Sequence, residues 1–136
     1  MSRWTLWLVG LPSFLMYFGV AIGLTLIFAF VYIRITEHDE FALIREGKSA
    51  AAVALGGSLI AFVLPLCSAI IHSASLTDFV IWAAIALIIQ LATFFAVRVF
   101  IPNLSQRIAH NEMASGLFVA LASVAVGAIN AACMTP

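Results

Sequence analysis

Carboxylate and imidazole side chains gather in two short stretches of this chain. The first stretch is a dense run of four residues: Glu37, His38, Asp39 and Glu40. The second contains His110 and Glu112. Oxygen and imidazole groups of this kind can hold a divalent cation. Their spacing matches no established ligand pattern, however, and solvated connections explain them equally well. We therefore expect no metal site and no cofactor.

The remaining residue types do not suggest catalysis. The sequence contains no nucleophile with its base, no phosphate-cradling glycine loop and no helix-borne pair of metal-binding histidines. Six Lys and Arg residues balance six Asp and Glu residues, so there is no polybasic field for nucleic acid. We expect neither an enzyme nor a nucleic-acid-binding protein.

A few polar side chains lie inside otherwise apolar stretches. Those that could serve a polar path or contacts between helices include Ser58, Gln90, Thr93 and Asn130. An amide in hydrocarbon needs a hydrogen-bond partner, so Gln90 and Asn130 should point towards other helices. They either join helices to one another or line a polar permeation path. No acid or base occupies a mid-membrane position, which disfavours a proton-coupled carrier.

Four long apolar stretches carry these residues. With 65 % apolar residues, 9 % charged residues and a mean hydropathy of +1.19, no water-soluble packing could hide this surface. Each stretch reaches the roughly 20 residues that a helix needs to cross a bilayer. We predict an all-α membrane protein, a bundle of four transmembrane helices in one domain, 1–136. The predicted spans are about 13–33, 49–71, 78–98 and 113–134. The first is expected to be an uncleaved span, because its apolar run exceeds a signal-peptide core.

The positive charges predict the orientation. Two connections, 34–48 and 99–112, contain or border five of the six Lys and Arg residues; the sixth is Arg3. Loops rich in Lys and Arg stay in the cytoplasm. Both connections are therefore predicted to be cytoplasmic, and both termini to lie on the other side of the membrane. The spans themselves are expected to contact the lipid bilayer.

The two connections resemble each other. A shift of 64 residues pairs Arg34 with Arg98 and Ile44 with Ile108. The matches are few, so the sequence leaves a true duplication open, but the pattern suggests a tandem parallel repeat of two helical hairpins. A short amphipathic helix is predicted in each connection, and Gly47 should mark the break before the second span.

Small residues recur four apart within the spans. The glycines concerned are Gly19, Gly23, Gly57 and Gly127. Such spacing lets helix backbones approach closely. The faces serve packing within the bundle or contacts between subunits, and we expect at least one to bind a second copy in a homo-oligomer. Pro65 should kink the second span. Whether Cys67 and Cys133 pair is left open.

Several segments resemble the YjfL-like family of small bacterial inner-membrane proteins, a domain of unknown function (DUF 350 / UPF 0719 type). They are RITEHDEFALIREGKSAAAVALGGSLIAFVLPL, SAI, WAAIALIIQLATFFAVR and NAACM. The resemblance implies a four-span protein of the bacterial inner membrane, with both termini then periplasmic. It also suggests a cytoplasmic envelope-stress protein as partner, and it makes Arg34, Glu37, His38, Glu40 and Arg98 candidates for loop contacts.

Two functions fit this sequence. The first is an oligomeric conduit for ions or small solutes, with a polar path built from Gln90, Thr93, Asn130 and facing serines such as Ser58. The second is a membrane anchor or sensor subunit whose cytoplasmic run Glu37–Lys48 recruits the stress protein.

Overall fold

Six helices joined by short turns make up the part of the chain that the structure describes, and no strand occurs there. This structure, a computed structural model, describes residues 3–36 and 40–134, without the side chain of Glu40. The helices are α1 (Arg3–Ile35), α2 (Glu40–Arg45), α3 (Ser49–His72), α4 (Leu76–Phe100), α5 (Leu104–Ala109) and α6 (Met113–Cys133). Four of them, α1, α3, α4 and α6, are long and apolar enough to cross a membrane. The predicted four-helix membrane fold is thereby confirmed.

The first helix is longer than a bilayer requires. Helix α1 has 33 residues and begins ten residues before the predicted span. At 1.5 Å per residue it is about 50 Å long, against a hydrocarbon core of about 30 Å. Its first turns carry Trp4 and Trp7, whose rings pack edge to face with centroids 5.3 Å apart. Tryptophan is typical of the membrane–water interface, so these turns extend beyond the hydrocarbon.

The two halves of the chain repeat the same local structure. The starts of α2 and α5, and those of α3 and α6, are 64 residues apart. Each short helix ends in a left-handed residue, Gly47 with φ 82° or Asn111 with φ 63°. Gly47 N donates to Ile44 O at 3.0 Å, and Asn111 N donates to Ile108 O at 2.9 Å. The residue that follows Gly47 or Asn111 donates to the carbonyl oxygen of the residue just before Ile44 or Ile108. These two bonds together form a Schellman motif in both halves of the chain. The predicted short helices and the break at Gly47 are confirmed.

The equivalent helices α3 and α6 form the tightest pair of the bundle. They run parallel, because Ala50 lies against Gly116 near their starts and Ala61 against Gly127 further along. A Cβ added to Gly116 would lie 2.6 Å from Ala50 O. A Cβ on Gly57 would lie 2.7 Å from the Cα of Ala120. Glycine permits this backbone contact, and van der Waals contact is what holds helices together in lipid.

Helix α4 returns across this pair and packs against both α3 and α6. In the short turn between α3 and α4, Ser75 Oγ accepts from Asp78 N at 3.2 Å, and Asp78 Oδ2 accepts from Ala74 N at 3.1 Å. These bonds satisfy backbone donors that the helix start leaves unpaired. We call the end of the bundle that carries α2 and α5 the connection end, and the other the opposite end.

Helix α1 lies at the periphery. It packs against α3 and more lightly against α4, mainly through aromatic rings. Phe28 stacks on Phe62 of α3 at 4.8 Å between centroids, and Tyr32 meets Phe94 of α4 edge to face at 5.3 Å. Phe28 and Tyr32 are its only fully buried residues within Arg3–Ile35. Tyr17, Val20 and Leu24 pack partly buried against the core on the same side. The exposed side of this apolar helix therefore faces lipid or another chain.

Candidate functional site

Gln90 lies in the interior of the bundle near the middle of its span. Its side chain is 3 % exposed and shares the buried stripe of α4 with Ala83, Ala86 and Thr93. Within the described parts of the chain, neither Oε1 nor Nε2 has a hydrogen-bond partner. An amide carries two donors and two acceptor sites, so four hydrogen-bonding opportunities are unmet inside an apolar environment.

Ser58 of α3 lies at the same depth. Gln90 is fourteen residues from Leu76, where α4 begins, and Ser58 is fourteen residues from His72, where α3 ends. Because α4 runs back from the end at which α3 stops, both residues lie about 21 Å from the opposite end. Ser58 is 2 % exposed, and its Oγ also has no partner among the described residues. The structure thus has two unsatisfied polar side chains at mid-bundle depth.

Helix α6 adds polar side chains on its buried face. Ser123 lies ten residues after Met113, as Ser58 lies nine after Ser49, so the two serines are at nearly equal depth on parallel helices. Asn130 lies two turns further on, is 7 % exposed, and its Nδ2 has no partner in the described structure. Buried polar groups therefore continue along α6 from mid-bundle towards the opposite end.

Thr93 differs from these residues. Its side chain is buried, and Oγ1 donates to Ile89 O of the same helix at 2.9 Å. A hydroxyl bonded to the carbonyl four residues earlier is a common arrangement in membrane helices. Thr93 therefore lies on the same buried stripe as Gln90, but its polar atom has a hydrogen-bond partner.

A cavity of about 330 Å³ opens at the opposite end of the bundle. Its lining residues come from α3, α4 and α6 and the turn between the first two: Ala69, His72, Ser73, Asp78, Trp82, Cys133 and Met134. His72 Nδ1 is 2.9 Å from Ser68 O, and Ser68 Oγ donates to Ala131 O at 2.9 Å. The cavity includes the residues that end α6, so it lies one turn beyond Asn130.

The remaining predicted residues have different locations. Gly57 and Gly127 lie at the α3–α6 contact, whereas a Cβ on Gly19 or Gly23 would have nothing within 4 Å. These two glycines make no close contact within the described protomer, and their use by a second copy stays a prediction. Arg34 is exposed and lies 4.9 Å from the Phe30 ring centroid, while Arg98 is half-buried near Phe94 and Phe95. Glu37 and His38 lie outside the described residues, as does the Glu40 side chain.

The cysteines and the proline also have definite places. Cys67 and Cys133 are exposed and unpaired with each other. Pro65 is buried within α3, which continues through it to His72. In the described ranges, 3–36 and 40–134, no group of three or more His, Cys, Asp and Glu residues could hold a metal ion.

The sequence reasoning missed two residues that organise the bundle. Asn111 caps α3 from the other half of the chain, since its Oδ1 accepts from Ala50 N at 2.9 Å. Gly116 contacts Ala50 at the start of the α3–α6 pair. A signal existed for both: Asn111 is 64 residues from Gly47, and Gly116 is four residues from Ala120.

These features define a small four-helix membrane protein with a polar interior. The chain matches the family described as "Domain of Unknown Function (DUF350)" over residues 5–134. It is 42 % identical over 125 residues to the "UPF0719 inner membrane protein YjfL" of Escherichia coli strain K12, covering 92 % of this chain and 95 % of that relative. The protein of the same name from Escherichia coli O157:H7 matches equally. No solved structure is significantly similar. The chain therefore belongs to the DUF350 family and is an inner-membrane protein.

Proposed function

We propose that this protein is an oligomeric conduit for ions or small polar solutes. The observation that carries the proposal is the Gln90 side chain, which is buried at mid-membrane depth with both polar atoms unpartnered in the described structure. Leaving one buried polar group unsatisfied costs roughly 1–3 kcal/mol. A polar species that enters the bundle and bonds to this amide would remove that cost.

Buried polar side chains occur from the middle of the bundle to its opposite end. Gln90, Ser58 and Ser123 lie at mid-depth, Asn130 lies nearer the opposite end, and the cavity with His72 and Asp78 follows. Amides and hydroxyls can replace part of the hydration shell of a permeating species. We infer that the path runs between α3, α4 and α6, inside each protomer.

The α3–α6 contact is tight, because Gly127 lies against the backbone of Ala61. Permeation therefore requires α4 to move relative to this pair. Helix α4 packs on α3 and α6 but contains no glycine of the kind that brings those two helices into backbone contact. The α3–α6 pair serves as the fixed part of the protomer, and α4 as the part that moves.

A homo-oligomer accounts for the exposed face of α1. Gly19 and Gly23 are one turn apart, on a helix of which only Phe28 and Tyr32 are buried within Arg3–Ile35. Small residues at this spacing favour close helix contact in lipid. We propose that the α1 helices of neighbouring copies meet through these glycines.

The test is flux through protein reconstituted in liposomes. Wild-type protein should conduct a salt-gradient-driven flux above that of empty liposomes, and Gln90→Leu should lower it. Thr25→Val is the matched control, because Thr25 Oγ1 bonds to Ala21 O at 2.8 Å within α1, away from the proposed path. Flux that is equal in the wild type and in Gln90→Leu would contradict the path.

The anchor or sensor function predicts a different outcome. In that case the wild type is silent although inserted and oligomeric, and the connection around α2 retains a cytoplasmic envelope-stress protein. Reversing the charges of Glu37, Asp39 and Glu40 should then abolish recruitment. Gln90→Leu should leave recruitment intact.

A further inference from the structure

The cavity at the opposite end of the bundle has a negative electrostatic character. Among the described residues that line it, only Asp78 carries a formal charge. The cavity lies where α3 and α6 end and α4 begins. The C-terminal end of a helix carries a partial negative charge, and the N-terminal end a partial positive one. Two C-terminal ends and a carboxylate therefore outweigh one N-terminal end, so the cavity favours cations over anions.

The carboxylate of Asp78 is fixed in place and still accessible. Its Oδ2 accepts a hydrogen bond from Ala74 N at 3.1 Å, which holds the side chain beside the start of α4. Its Oδ1 has no hydrogen bond within the described parts of the chain. The side chain is only half-buried and lines the cavity. A cation that enters the cavity can therefore reach this carboxylate.

The neutral side chains of the lining offer mainly acceptors. His72 Nδ1 lies 2.9 Å from Ser68 O. A carbonyl oxygen can only accept, so Nδ1 carries the hydrogen of the neutral ring and Nε2 is an acceptor. Ser73 Oγ donates to Ala69 O, which leaves its own lone pairs available. Acceptors of this kind can replace water molecules around a cation, whereas an anion needs donors.

Basic residues lie far from this cavity. Five of the six Lys and Arg residues are at the connection end, and the sixth, Arg3, begins α1. Ser13 of α1 lies near the level at which α3 ends, because Ser13 and Ile70 line the same groove. Arg3 is ten residues earlier, about 15 Å further along the helix. The Debye length is about 8 Å at physiological salt, so Arg3 does not cancel the field of Asp78.

We propose that this cavity is the entrance at which the conduit selects small monovalent cations, and that Asp78 attracts them. The inference rests on the conduit proposed above and adds the class of solute that it passes. A single carboxylate fits a monovalent cation, since protein sites for divalent cations commonly combine several oxygen ligands. Conduction also requires binding that is weak enough to release the ion. Neutral groups further in, on α3, α4 and α6, then accompany the cation through the bundle.

Trp82 provides a test that does not depend on flux, because it lines the same cavity. The chain has three tryptophans, so full-length protein with Trp4→Phe and Trp7→Phe reports on Trp82 alone. Caesium and iodide quench tryptophan fluorescence by collision, and each is compared with its quenching of free N-acetyltryptophanamide at the same ionic strength. Relative to that standard, caesium should quench Trp82 better than iodide does.

Asp78→Asn should lower the caesium quenching constant by up to about fivefold. This factor corresponds to about 1 kcal/mol, the interaction of unit charges 4 Å apart in water. The effect should shrink in 1 M salt, where the Debye length is about 3 Å. Asparagine retains an oxygen that can accept from Ala74 N, so the turn before α4 is preserved. Glu46→Gln, the same change at the connection end, should leave the quenching unaltered.

The reversal potential of reconstituted protein in a KCl gradient is the second measurement. Potassium should be more permeant than chloride, and the permeability ratio should fall by up to about fivefold in Asp78→Asn. Asp78→Glu, which retains the charge, should keep the ratio near that of the wild type. The ratio tests the selectivity, whereas the presence of any current tests the conduit.

The two measurements separate the failure of the selectivity from the failure of the conduit. Caesium preference that Asp78→Asn removes, in a protein without current, would contradict the conduit and support a cation site in the cavity. A current with equal or greater chloride permeability would overturn the proposed selectivity and leave the conduit standing. Caesium quenching that is unchanged in Asp78→Asn would overturn the role of this carboxylate whether or not the protein conducts.

Discussion

Asn111 Oδ1 accepts a hydrogen bond from the backbone N–H of Ala50 at 2.9 Å, and this bond joins the two halves of the chain. Lys48, the N-cap residue of α3, makes no side-chain cap bond of its own. Asn111 also has φ 63° and ends α5, as Gly47 ends α2. The side chain of Asn111 therefore caps a helix in the first half of the chain, and the backbone of the same residue ends a helix in the second half.

Substitutions of Asn111 should separate these two roles. Asn111→Gly retains the left-handed backbone and loses the cap, which should lower the free energy of unfolding by about 1 kcal/mol. Asn111→Ala loses the cap and also strains the backbone, which should cost roughly 1–2 kcal/mol more. Denaturant unfolding in detergent measures both. Equal stabilities of the two variants would show that the positive φ carries no cost at this position.

The adjacent glycines of α3 provide a matched pair. A Cβ on Gly57 would meet Ala120, whereas one on Gly56 would have nothing within 4 Å. Gly57→Ala should therefore separate α3 from α6 and destabilise the protein by about 1–3 kcal/mol. Gly56→Ala should be neutral or stabilising by roughly 0.5–1 kcal/mol, because alanine restricts the unfolded chain. Thermal unfolding of both variants checks this, and a similar loss in each would argue against the α3–α6 contact.

Helix α1 should govern the oligomeric state. Gly23→Leu places a large side chain on the face proposed to meet a second copy, so the oligomer should dissociate towards monomers. Gly10→Leu is the control, since Gly10 is equally open but lies nearer the start of the helix. Light scattering in detergent measures the mass. An unchanged mass in Gly23→Leu would place the interface elsewhere.

Labelling of the native cysteines should report the orientation. Cys133 is exposed at the end of α6, and the positive-inside rule predicts that this end faces away from the cytoplasm. With Cys67→Ser as background, a membrane-impermeant maleimide should label Cys133 in right-side-out vesicles. Glu46→Cys, made in a protein without native cysteines, should be labelled only in inside-out vesicles. The reverse pattern would invert the topology.

The sequence predicted the helices well and their contacts poorly. Span length and hydropathy depend only on local composition, and the short helices follow from the charged connections. The lipid-facing and protein-facing sides of a span are both apolar, however, so periodicity does not distinguish them. Gly19 and Gly23 have the same spacing as the pairs that contain Gly57 and Gly127, yet of these four glycines only Gly57 and Gly127 pack within the protomer.

The candidate site, too, was predictable from the sequence only in part. The need of Gln90 for a buried environment was predictable, because an amide in a span avoids lipid. Its lack of a protein partner was not, since hydrogen bonds between helices depend on rotation and depth in three dimensions. Thr93, one turn away, donates instead to Ile89 O of its own helix at 2.9 Å and so needs no partner on another helix.

The central claim is that the Gln90 amide lines a permeation path. It is tested most directly by measuring solute flux and thermal stability on the same preparation of the Gln90→Leu protein. If the amide serves permeation, flux should fall about tenfold, while stability should hold or rise because an unsatisfied polar group is removed. If instead flux is unchanged and stability falls, Gln90 joins helices to one another and the conduit is contradicted.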